Sequence, residues 1–137
     1  MKKYLIALAA CFACTIATPA FAFKQMSDQW KVIYAGDDAN ADFKKLVDEA
    51  KCNVCHVNKE NKKKVRNPYG DAVHEALEKA DFPVADFKKD PETYADQVKE
   101  LLKKVEGEKS GYEDHKTFGD RIKANLLPGG NTEGKKE

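Results

Sequence analysis

The chain is poor in the residue types that most often carry chemistry: 137 residues hold three histidines, two methionines, one tryptophan and four cysteines. It also lacks an excess of either charge. Lysine and arginine number 24 against 23 acidic residues, a formal net charge of +1, so the concentrated basic face that favours nucleic-acid binding is missing. Beyond the first 22 residues there is no long hydrophobic run, and no membrane span is expected there. No internal repeat is present. The histidines outside the one Cys/His cluster, His74 and His115, stand singly, so a zinc site built from two ligand pairs has no second pair to use.

What is present begins at the N-terminus. Lys2 and Lys3, the apolar run over residues 5–17 and the small-x-small site Ala20-Phe21-Ala22 form the pattern of a cleaved secretory leader. We expect residues 1–22 to be a signal peptide and the mature chain to start at Phe23, exported to a compartment such as the bacterial periplasm. Leu8-Ala9-Ala10-Cys11 also reads as a lipoprotein box that would leave a lipidated Cys11. It lies very early and hydrophobic residues continue past it, so it ranks below cleavage at Ala22. Cleavage there removes Cys11 and Cys14 and leaves one small domain, nearly neutral and with mixed signs.

The two remaining cysteines lie in one motif, Cys52-Asn53-Val54-Cys55-His56. C-x-x-C-H is the pattern on which a c-type haem is attached. Two thiols three positions apart add across the haem vinyl groups as thioethers, and the adjacent histidine serves as proximal iron ligand. A thioredoxin-like pair would need a strand before it and a βαβ pattern around it, whereas a helical pattern leads in here. A disulfide between Cys52 and Cys55 would close a loop too short to gain much chain entropy and is often strained. The motif predicts one haem c per chain, with Cys52 and Cys55 holding the macrocycle and His56 the iron.

The mature chain reads as all-α. Trp30-Lys31-Val32-Ile33-Tyr34 fits either an extended segment or an irregular clasp. Asn40 is an N-cap, and Phe43, Leu46, Val47 and Ala50 recur at helical spacing up to the motif. Residues 57–66, with Lys59, Lys62, Lys63 and Lys64, read as a solvated loop. Asn67-Pro68 opens a second helix with the stripe Tyr69, Ala72, Val73, Ala76, Leu77 and Ala80. Asp90-Pro91 opens a third, through Val98, Leu101, Leu102 and Val105, closed by Gly107. Thr117 with Asp120 resembles a capping box for a fourth, through Phe118, Ile122 and Leu126, stopped at Pro128-Gly129-Gly130. Residues 131–137 read as a disordered polar tail, so the domain is expected to span residues 23–130.

Four helices around Cys52, Cys55 and His56 resemble the small single-haem c-type cytochromes, broadly class I, over roughly residues 40–126. The resemblance implies a small helical domain wrapped around one covalently attached haem. It also implies a role for Pro68: class I proteins place a proline at this spacing after the haem histidine, and its carbonyl accepts the imidazole N–H, which would orient His56. The alternative for Pro68 is simply the first position of a helix.

The sixth iron ligand departs from the family. Class I proteins usually supply a methionine from a loop before the C-terminal helix, and this chain has no methionine after His56. Met26 precedes the motif and would need an unusual chain path; its alternative role is filling a core gap. His115, just before Thr117, holds the place of the family's methionine and is the expected distal ligand, with a bis-histidine iron of lowered potential. His74 is the second candidate, although it lies beside its helix's apolar stripe. A lysine ligand or an open position are further options. Two strong protein ligands imply an electron carrier rather than an enzyme, meeting redox proteins transiently. An open sixth site implies a gas-binding or sensing protein, and a haem subunit of a larger periplasmic enzyme is a third possibility.

Overall fold

The structure, a computed structural model, describes residues 23–58 and 65–136. The expected leader over 1–22, with Cys11 and the Ala22 cleavage site, and the lysine-rich stretch over 59–64 lie outside the described residues. Among the described residues there are six α-helices and no strand: α1 Lys24–Tyr34, α2 Ala41–Ala50, α3 Pro68–Lys79, α4 Val84–Lys89, α5 Ala95–Glu106 and α6 Phe118–Lys123. The class is all-α, with two more helices than expected. No helix among them is long and apolar enough to cross a membrane.

The segment whose state the sequence left open is α1. Phe23, Met26, Trp30 and Ile33 recur with helical spacing, and Met26 and Trp30 are buried. Two distant partners fix it. Trp30 Nε1 donates to the Tyr69 hydroxyl at 2.8 Å, and the Tyr34 hydroxyl donates to Glu106 Oε1 at 2.7 Å.

α2 starts where expected, with the Asn40 side chain accepting from the N–H groups of Asp42 (2.8 Å) and Phe43 (3.2 Å). Phe43, Val47 and Ala50 are its buried positions. The helix expected from Asp90-Pro91 begins later, at Ala95. Asp90 caps a turn instead, accepting from Thr93 Oγ1 at 2.6 Å. The unforeseen α4 is pinned by Phe87, fully buried with its ring edge-on to Phe82, Tyr94 and Phe23.

α5 is the centre of the fold, packed against α1, α3 and α6, and it buries Val98, Leu101, Leu102 and Val105. Thr117 and Asp120 form the expected capping box of α6. That helix ends at Lys123, short of Leu126, where Asn125 turns into the left-handed region at φ 59°. Arg121 then reaches back: it is buried, its Nε donates to the Leu127 carbonyl at 2.8 Å, and its guanidinium lies 3.7 Å from the Tyr112 ring centroid.

Residues 131–136, expected to be part of a disordered tail, form a hydrogen-bonded turn. The Asn131 side chain accepts from the N–H groups of Glu133 and Lys135, and the Gly134 N–H donates to the Asn131 carbonyl at 2.8 Å. An asparagine at the head of a turn supplies its own acceptors, which composition alone did not reveal.

Candidate functional site

α2 runs directly into one 3₁₀ turn, Lys51–Val54, that carries the first half of the motif. Lys51 breaks the α-helix by taking φ 52°, and the N–H groups of Cys55 and His56 both return to the Cys52 carbonyl, at 3.3 and 3.0 Å. This tight turn sorts the three side chains. Cys52 is exposed, Cys55 half-buried and His56 buried.

The His56 ring is oriented by a carbonyl, but not the expected one. Its Nδ1 lies 3.2 Å from the carbonyl oxygen of Val65. A carbonyl only accepts, so Nδ1 carries the proton and the ring's lone pair is on Nε2, the arrangement a metal-ligating imidazole uses. Pro68 instead occupies the first turn of α3, where its missing N–H costs nothing and its carbonyl belongs to the helix ladder. Val65 precedes the helix and is held by a second bond from the Val57 N–H at 3.1 Å.

Two braces hold the motif. Buried Asn67 donates from Nδ2 to the carbonyls of Asn53 (3.1 Å) and Val54 (3.0 Å), and its Oδ1 accepts from the Gly70 N–H at 2.9 Å. Its own N–H donates to the Cys55 carbonyl at 2.9 Å. The C-terminal strap forms the second brace. Asn53 Nδ2 donates to the Thr132 carbonyl (2.9 Å), the Asn58 N–H donates to the Glu133 carbonyl (2.8 Å), and Gly134, at φ 72°, passes directly over the His56 carbonyl.

Cys52, Cys55 and His56 line one cavity of about 600 Å³, a volume within the range of cofactor pockets. Its apolar walls come from three helices: α1 contributes Met26 and Trp30 together with its cap residue Phe23, α3 contributes Val73 and Leu77, and α5 contributes Leu102. The rim carries Lys24, Asp28, Lys31, Lys51 and Arg66. α3 has two buried faces. Tyr69, Ala72 and Val73 enter the core, while Gly70, Val73, His74 and Leu77, again at i, i+3, i+4, i+7, face the cavity.

His74 therefore belongs to the cavity rather than the surface expected of it. It is half-buried, with Nδ1 3.6 Å from Glu78 Oε2. His115 is not brought to the cavity. It sits on the loop between α5 and α6, where an isolated antiparallel bridge between Lys109 and Thr117 and a bond from the Ser110 hydroxyl to its carbonyl hold it. Met26, set aside for its place in the chain, lines the cavity and is buried.

The donor set suits a haem. Among the described residues no three His, Cys, Asp or Glu side chains are grouped to hold one metal ion, whereas a haem asks the thiols to reach the macrocycle and the imidazole alone to reach the metal. Burial, with Cys52 adding to it, pushes the Cys55 thiol up to about 12.

The residues that sequence reasoning missed are Val65, Asn67 as a brace, and the strap. Only Asn67 left a signal, as the Asn-Pro cap. No family model, curated protein or solved structure matches the chain.

Proposed function

We propose that the chain is an exported single-haem c-type cytochrome that carries one electron at a time between redox proteins. One observation carries the reading: both thiols and the imidazole of C-x-x-C-H line a single, mainly apolar cavity of cofactor size. Cys52 and Cys55 would hold haem c, one per chain, as thioethers, and His56 would ligate its iron. That group supplies a one-electron couple when bound.

The chain's own residues do the rest. The Val65 carbonyl fixes the His56 tautomer and raises the basicity of the ring. Asn67 and the strap hold the motif's backbone on both sides. Met26, Trp30, Val73, Leu77 and Leu102 give the cavity an apolar lining, and such a lining tunes the couple. The charged, mainly basic rim, with Lys24, Lys31, Lys51 and Arg66 against Asp28, suits brief encounters with partners rather than a permanent apolar interface.

The test is denaturing electrophoresis of the protein matured in an exporting host, stained for haem peroxidase activity. Colour is expected to travel with the polypeptide and to survive acid-acetone extraction. Haem released completely by that extraction overturns the assignment. Intact mass of the same sample is expected to correspond to a chain beginning at Phe23 plus one haem; a mass retaining an acylated Cys11 would make it a membrane-tethered carrier.

A further inference from the structure

Resting on the haem reading above, we propose that Met26, on the helix before the motif, is the sixth iron ligand. Besides His56, and with Cys52 and Cys55 consumed, the described lining offers Met26, His74 and the lysines Lys24, Lys31 and Lys51 as donors to iron. Lys24 is paired with Asp28 and Lys31 with Asp48, each at 2.7 Å, Lys51 is exposed, and an ammonium has no lone pair until it loses a proton.

His74 stands on α3, which is bonded to the backbone of the motif itself through Asn67 and Gly70. It therefore rises from the wall that already carries His56, and the Glu78 carboxylate lies beside its ring. Met26 comes from a different wall. α1 is anchored on α5, through Trp30 to Tyr69 of α3 and through Tyr34 to Glu106 of α5, so its cavity face is set by helix packing rather than by bonds to the motif's own backbone. A buried thioether on a flexible, unbranched side chain can adjust to a ligand position, and a methionine opposite a histidine is a stable axial pair for iron. The path that made Met26 implausible from sequence is supplied by α1 lying along the cavity.

The experiment compares ferric and ferrous spectra, CO binding and reduction potential of the haem-stained holoprotein with those of Met26→Leu, His74→Ala and His115→Ala. Leucine keeps volume and apolarity. Met26→Leu is expected to lose the low-spin ferric spectrum, to bind CO when reduced and to shift to lower potential, while the two histidine variants retain all three wild-type properties. A second measurement needs no variant. Met26 is the only methionine from residue 23 onward, so methyl-labelled methionine in the reduced wild type is expected to give one resonance strongly displaced by the haem ring current. An undisplaced methyl, a Met26→Leu protein that stays low-spin, or loss of the low-spin state in His74→Ala or His115→Ala overturns the proposal. Ready CO binding by the wild type also overturns it and favours an open, gas-binding iron. A sample with no haem stain would refute the cytochrome reading instead, before any ligand is in question.

Discussion

Gly70 lies against Cys55 so closely that a β-carbon on it would fall 2.0 Å from the Cys55 carbonyl oxygen and 2.9 Å from the carbonyl carbon. Both contacts are backbone, so neither yields by a rotamer change. The requirement is for the absence of a side chain in the first turn of α3, not for an unusual dihedral. Gly70→Ala is therefore expected to separate α3 from the motif and to destabilise the fold by about 1–3 kcal/mol, as overpacking does, although alanine is the better helix former. Thermal unfolding checks it; an unchanged or raised midpoint would mean that the two backbones are free to separate.

Asn67 satisfies two motif carbonyls and one helix N–H with a single side chain. Asn67→Ala leaves those carbonyls buried without their donor and removes the cap of α3. The expected loss is about 2–4 kcal/mol, from about 1–3 kcal/mol for the buried bond to the Val54 carbonyl and about 1 kcal/mol for the cap, the part-buried bond to Asn53 adding less. Asn67→Asp keeps the cap and loses the donors, so it should fall between the two in urea denaturation. If aspartate matches wild type, the bonds to Asn53 and Val54 contribute nothing.

The strap makes a prediction that composition would not. Alanine at Gly134 would meet the His56 carbonyl oxygen at 1.8 Å, and it would do so at φ 72°. Gly134→Ala is expected to release residues 131–136 and to raise hydrogen exchange at the Asn58 N–H, whose acceptor is Glu133. Exchange at Asn58 unchanged from wild type would show that the strap is not needed there.

The capping box predicts a pH response. The Thr117 side chain and its backbone N–H, which donates to Asp120 Oδ2 at 3.0 Å, hold the Asp120 carboxyl below its ordinary value. Because the folded state favours the ionised form, the contribution is fully present above the ordinary range, about 4, and is lost as pH falls through the lowered folded value. The difference in thermal midpoint between wild type and Asp120→Asn should accordingly narrow at acid pH. A difference constant from neutral to strongly acid pH would contradict it.

Much of this was legible because local chemistry decides it. Asn40, Asn67, Gly107 and Thr117 mark their helix ends with side chains or glycine, and periodic apolar positions set α2, α3 and α5. α1 carried the same signal in Phe23, Met26, Trp30 and Ile33, but the run Trp30 to Tyr34 also fits an extended segment, and only the distant Tyr69 and Glu106 settle it. Cys52, Cys55 and His56 were visible as a motif. Which side chains face them was not, because His74 and Met26 reach the cavity through helix packing that no spacing encodes. His115 was expected from its place before the last helix and for want of a downstream methionine, and the loop pinned by the Lys109–Thr117 bridge does not bring it to the cavity.

The wall formed by α1 has a consequence in time. It is the first described helix to be synthesised, yet its fixed partners lie 39 residues away at Tyr69, 63 at Lys88 and 72 at Glu106. Contacts of such separation form late, after the entropy of closing long loops has been met. α2, by contrast, is continuous with the motif turn and can form locally. A nascent chain thus presents Cys52, Cys55 and His56 on a short preformed element while the first wall of the cavity is still adrift, and the cavity shuts only when residue 106 has emerged.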